Sequence, residues 1–144
     1  MPEKPVEQQP PDVLAMVLAD AILQDFASAK FFIHGTYSGI FAQQFPLIYP
    51  AISLYLAITN GHGKTEMKVR LVDVDENREP VFEATAGLDF ADPLQVLEMV
   101  FVARNVRFPE PGEYRIQLLG AGQLIRERRL QVMPIPGSEE GEQS

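Results

Sequence analysis

The chain contains no cysteine, no tryptophan and only two histidines. Without cysteine there is no disulfide framework, no thiolate metal site and no cysteine nucleophile. Long apolar runs are also missing: the longest stretches reach about ten residues, against roughly 20 for a helix that crosses a bilayer. The opening MPEKPVEQQPPD has no apolar segment, so no cleavable secretory signal is expected at this terminus, and a cytoplasmic protein is. Basic residues are scarce, with 12 Lys and Arg against 20 Asp and Glu and a net charge of -8. An acidic surface repels phosphate backbones, so nucleic acid is not an expected partner, and neither is a membrane.

What remains is a 144-residue chain, 46% hydrophobic, long enough to close one dry core without staples. Its acidity is uneven. Residues 1–11 carry a net -1 and residues 135–144 a net -3, which leaves -4 for residues 12–134. Four of the twelve prolines fall in the first eleven residues, and the chain ends in IPGSEEGEQS. Neither composition buries enough apolar area to offset ordering entropy, so both tails are expected to be disordered around one domain, 12–134.

Within that domain the dominant signal is period-two alternation. Lys64, Glu66, Lys68 and Arg70 share one face of a segment whose other face carries Met67, Val69 and Leu71. Tyr114, Ile116 and Leu118 alternate in the same way with Glu113, Arg115 and Gln117. Ile52, Leu54, Leu56 and Ile58 make a third row, Leu97, Met99, Phe101 and Ala103 a fourth, and Phe82, Ala84 and Ala86 a weaker one. Turn chemistry separates the rows: Asn60-Gly-His-Gly63, Asp75–Pro80, Pro109-Glu-Pro-Gly112 and Gly120-Ala-Gly122. Segment 13–22 contains good helix formers but no polar stripe, which favours a strand, with a short helix as the alternative. Eight strands are expected near 13–22, 31–40, 51–59, 64–73, 80–87, 94–104, 113–119 and 123–132. The last breaks parity, because Leu124, Leu130 and Val132 share a face with Arg126 and Arg128; a bulge or an edge position resolves this. The fold class predicted is all-β, a two-layer antiparallel sandwich of Ig-like or C2-like architecture, although the cysteine pair and core tryptophan of true immunoglobulin domains are absent.

Three segments carry a resemblance: Phe45-Pro46 leading into Ile52–Gly61, Arg70-Leu-Val-Asp73, and Phe108-Pro-Glu-Pro-Gly-Glu-Tyr-Arg-Ile-Gln-Leu-Leu119. Together they resemble a bacterial family of small β-sandwich proteins catalogued only as a domain of unknown function, over residues 12–133. The resemblance implies the fold and transfers no catalytic or binding residue.

Candidate chemistry is sparse. His62 lies in a glycine-flanked turn and reads as a solvated loop residue. His34 pairs in prospect with Asp20 across the first hairpin, and these two with Glu98 are the components of a dispersed acid-base site. Asp73, Asp75 and Asn77 match the first calcium-loop positions, but Arg78 and Ala84 stand where the EF-hand loop needs glycine and glutamate. A pooled loop site of Asp73, Asp75, Asp89 and Asp92 is the remaining metal arrangement. Arg126, Arg128 and Arg129, interrupted by Glu127, read as a solvated strand face. Seven of the thirteen aromatics fall between residues 26 and 49. If the first hairpin packs one face inward, either Phe31, Ile33, Tyr37 and Phe41 or the opposite set is left for a partner. Phe31, Tyr37, Phe41 and Tyr49 are the candidate interface. The function expected is a non-enzymatic binding or assembly module without cofactor or metal, acting on a protein partner or on itself through sheet surface or edge. The alternatives are a small enzyme built on His34 and Asp20 and a calcium-dependent module.

Overall fold

A computed structural model describes residues 9–74 and 78–136. It is all-β, with nine strands: β1 Asp12–Gln24, β2 Phe31–Thr36, β3 Gly39–Ala42, β4 Leu47–Thr59, β5 Gly63–Asp73, β6 Phe82–Phe90, β7 Leu97–Phe108, β8 Gly112–Gly120 and β9 Gln123–Pro134. They form a four-stranded sheet in the order β2-β1-β4-β7 and a five-stranded sheet in the order β3-β9-β8-β5-β6. Segment 13–22 is a strand, and the helical alternative falls away. The tails expected to be disordered lie largely outside the described residues.

The alternating rows explain the core. Ile52, Leu54, Leu56 and Ile58 from one sheet meet Met67, Val69, Leu71, Tyr114, Ile116 and Leu118 from the other, all of them buried, while the intervening lysines, glutamates and arginines face water. Each such side chain contributes about 1.5–3 kcal/mol by leaving water. Gly61 at the β4–β5 turn lies so close to the Phe90 ring that a Cβ there would collide with it at 2.1 Å.

Three features differ from the sequence reading. The expected strand 31–40 is two strands in different sheets, because Tyr37 and Ser38 carry the chain from one layer to the other. The sandwich is not wholly antiparallel: β3 pairs with β9 in parallel, Gly39 opposite Gln131 and Ala42 opposite Pro134. β7 runs past residue 104 to Phe108. Its buried side changes from Phe101 and Ala103 to Val106 and Phe108 at Asn105, whose φ of 53° lets the strand switch parity without ending.

The β9 conflict is resolved by a bulge. Leu118 faces Arg126 and Leu119 faces Leu124, so Ile125 is the extra residue, and Arg126 and Arg128 share the inner face of the sheet with Leu118 and Ile116. Arg128 is half-buried there, whereas Arg126 stays exposed, as a solvated face would have it. β1 pairs with β4 over residues 12–19 and with β2 over 19–24, so its first half has a free edge on one side. The arginines reach across to that edge. Arg126 donates to the Val13 carbonyl at 3.1 Å, and Arg128 to the carbonyls of Met16 and Tyr37, each at 3.4 Å, and to Ser38 Oγ at 3.0 Å. Arg129 points to the other side, exposed, 3.8 Å from Glu113.

The four tyrosines act at the same margins. Tyr114 donates to the Glu110 carbonyl at 2.7 Å and packs edge-on against Phe108. Tyr49 donates to Asp20 Oδ1 at 3.3 Å, and Tyr55 donates to Glu98. The Tyr37 ring lies 6.1 Å from that of Tyr49, and its hydroxyl is buried. Burial raises the pKa of all four phenols, Tyr55 to about 12 with help from the Glu98 carboxylate.

Two predictions follow from these margins. Arg128→Met should cost roughly 1–3 kcal/mol, since backbone carbonyls lose a cationic donor, read as a lower denaturation midpoint at unchanged slope. Because the phenols have higher pKa values folded than unfolded, the stability they contribute is fully present below about pH 10 and is lost at higher pH, for Tyr55 as pH rises through about 12. Tyrosinate absorbance should therefore rise together with the loss of sheet circular dichroism; a complete tyrosinate step near pH 10 with the sheet intact would contradict this packing.

Candidate functional site

The outer half of the β1–β2 hairpin extends beyond the core. β1 leaves β4 after Ala19 and pairs only with β2, Ala21 opposite His34 and Gln24 opposite Phe31. The connecting loop is held by its own backbone: the Asp25 amide donates to the Lys30 carbonyl at 2.8 Å and the Ala29 amide to the Asp25 carbonyl at 2.9 Å. The Asp25 carboxylate accepts the Ser28 amide at 2.7 Å, which lowers its pKa. On this braced loop Phe26 is fully exposed, and Leu23 and Phe32, cross-strand neighbours, each keep about half their surface in water. Ile33 is exposed beside them. The hairpin thus presents an apolar tip and edge on a rigid support.

The four candidate interface residues do not form one patch. Phe31 is half-buried with its ring 5.5 Å from that of Tyr55. Tyr37 and Tyr49 pack against each other and against the core. Phe41 is exposed, but on β3 of the other sheet. The candidate interface left out Leu23, Phe26 and Phe32, of which Phe32 belongs to the opposite set. Their signal was indirect: a run of apolar residues on both parities of a hairpin that has a second sheet on one side only.

The acid-base set does not assemble. His34 lies opposite Ala21, on the face away from Asp20, while Asp20 lies against Gly35, where a Cβ would approach Asp20 Oδ2 to 2.8 Å. Gly35 has a φ of 72°. Asp20 is bonded by Tyr49 and Glu98 by Tyr55, on different parts of the sheet. His62 sits in the exposed β4–β5 turn.

The acidic loops do not pool either. Asp73 is 3.4 Å from Arg78 at one end of β5, whereas Asp89 pairs opposite Lys64 at the other, about 30 Å away at the rise of a strand. Asp92 accepts the Leu94 amide at 2.9 Å within its own loop. Asp75 and Asn77 lie outside the described residues. Among the described residues no group of three or more His, Asp or Glu is placed to hold a metal ion.

Comparison with solved structures finds similarity to a β-glucosidase from Listeria innocua in two complexes. With isofagomine the identity is 10% and the TM-score 0.47, over 85% of this chain and 16% of that one. With glucose the values are 12% and 0.45, over 83% and 16%. The chain therefore spans about one sixth of that enzyme's length, and a likeness this distant carries no functional argument. No curated protein matches the chain. The resemblance in the Phe45–Gly61, Arg70–Asp73 and Phe108–Leu119 segments has a clear counterpart: the profile of a family of unknown function (DUF6941) matches residues 14–133, and the chain belongs to that family.

Proposed function

We propose that this protein is a non-enzymatic binding module that captures an extended, apolar segment of a protein partner by strand addition at β2. The observation that carries this reading is the chemistry of the β2 edge. β2 is the terminal strand of its sheet, so one row of its amides and carbonyls has no strand to bond. Protein edges of this kind are ordinarily guarded. β3 is only four residues long, and β6 carries Glu83 and Asp89. β2, Phe-Phe-Ile-His-Gly-Thr, has no charged residue and exposes Phe32 and Ile33. Main-chain bonds supply affinity in strand addition and alternate side chains supply selectivity, so an uncharged β-branched or aromatic segment fits it best.

The finer architecture belongs to this proposal. We read the sandwich as Ig-like: β1, β4 and β7 take the places of strands A, B and E, and β9, β8, β5 and β6 those of G, F, C and C′. The Tyr114 hydroxyl bonded to the backbone four residues upstream supports it as a tyrosine corner at the start of β8. The setting this reading assumes is cytoplasmic, and the net charge of -8 disfavours nucleic acid as the partner.

The test uses a labelled Val/Thr-rich hexapeptide as the probe. Fluorescence anisotropy should show saturable binding, with slowed exchange of the β2 amides in the complex. Ile33→Lys should weaken it at least tenfold, about 1.4 kcal/mol, while Phe26→Ser and Ile33→Lys keep the stability within about 0.5 kcal/mol, as surface changes do. Absence of binding up to about 1 mM, the weakest affinity of interest at about -4 kcal/mol, overturns the proposal.

A further inference from the structure

The opposite margin of the same sheet carries a different pattern. β7 is the other terminal strand, paired with β4 alone. On its outward face, away from Phe101 and Ala103 in the core, it presents Glu98, Val100, Val102 and Arg104 in succession. This row is complementary to itself when reversed. If two copies of β7 run antiparallel about a twofold axis at Phe101, residues directly opposite each other share a face. Glu98 of each copy then faces Arg104 of the other, and Val100 faces Val102.

From this charge complementarity we propose that β7 joins a second copy of this chain, edge to edge, into one continuous eight-stranded sheet. A twofold axis makes every contact occur twice, as an isologous interface requires. The two ends of the row are prepared for it. Glu98 is fixed by the Tyr55 hydroxyl on one of its oxygens, which leaves the other to accept a guanidinium. Arg104 is exposed and has no ion-pair partner among the described residues. Asn105, in the left-handed region, changes which side chains face outward immediately beyond, so the alternation of the row ends with Arg104. Val102 is exposed at the centre of the row, a position otherwise left in water. The partner favoured is a copy of this chain, because a strand of different sequence would have to reproduce the same reversed order of acid, two β-branched residues and base.

The experiment is a charge swap followed by sedimentation equilibrium of the full chain over about 1 µM to 1 mM, a span of about 4 kcal/mol in affinity. The wild type should dimerise within this range. Glu98→Arg and Arg104→Glu, which each set like charges opposite one another, should weaken the dimer at least tenfold. The double variant should restore the affinity to within a few-fold, with sheet circular dichroism unchanged in all four proteins. A monomeric wild type, single variants that dimerise normally, or a double variant that fails to recover would each overturn the proposal. Ile33→Lys should leave the dimer intact, so strand capture at β2 and self-pairing at β7 succeed or fail separately.

Discussion

The structure depends on how the backbone of β1 is satisfied. One strand serves two neighbours in turn, β4 for its first half and β2 for its second, and the changeover leaves carbonyls of the first half facing no strand. Buried or half-buried carbonyls must find donors. The Tyr37 amide takes Leu18, Arg128 takes Met16 and Arg126 takes Val13. These donors come from the crossing segment and from β9, so the same bonds that complete β1 also close the open side of the sandwich. The arginines keep the inward parity of Leu130 and Val132, and the bulge at Ile125 turns only Leu124 to the outer face.

This arrangement leaves the four-stranded sheet with a bridged side along β1 and two terminal strands, β2 and β7. Where arginines bridge the sheets, the carbonyls of Val13, Met16 and Leu18 have donors. At β2 and β7 one row of backbone groups has no strand to bond, and the two margins differ in kind. β2 is uncharged on both faces, which suits the proposed capture of apolar strands, whereas β7 carries an ordered sequence of opposite charges, which suits the proposed self-pairing.

The interior was legible in the sequence because burial on one face of a strand imposes a two-residue period, visible at Met67, Val69 and Leu71 and again at Tyr114, Ile116 and Leu118. Breaks in that period were harder to interpret. At Asn105 the alternation fails while the strand continues, because a single left-handed residue changes which side faces inward without changing the pairing. At Gly35–Gly39 an aromatic run that looks uniform is divided between two layers, a consequence of sheet order that no local pattern encodes. The candidate interface suffered for the same reason. Tyr37, Tyr49 and Phe41 are neighbours in sequence but divide between core and surface once the crossing is made, and the exposed Leu23, Phe26 and Phe32 lie on the outer part of the hairpin, where β1 has left β4.

The bridging of β9 to β1 has a consequence in time. The bond from Arg126 to Val13 spans 113 residues of chain, and that from Arg128 to Met16 spans 112. No arrangement of the first hundred residues can close the side that these contacts seal. On the ribosome β2, β1 and β4 can pair early, but the open side of β1 stays unsealed until β9 emerges, and such long-range closure makes folding slow and the waiting intermediate prone to associate.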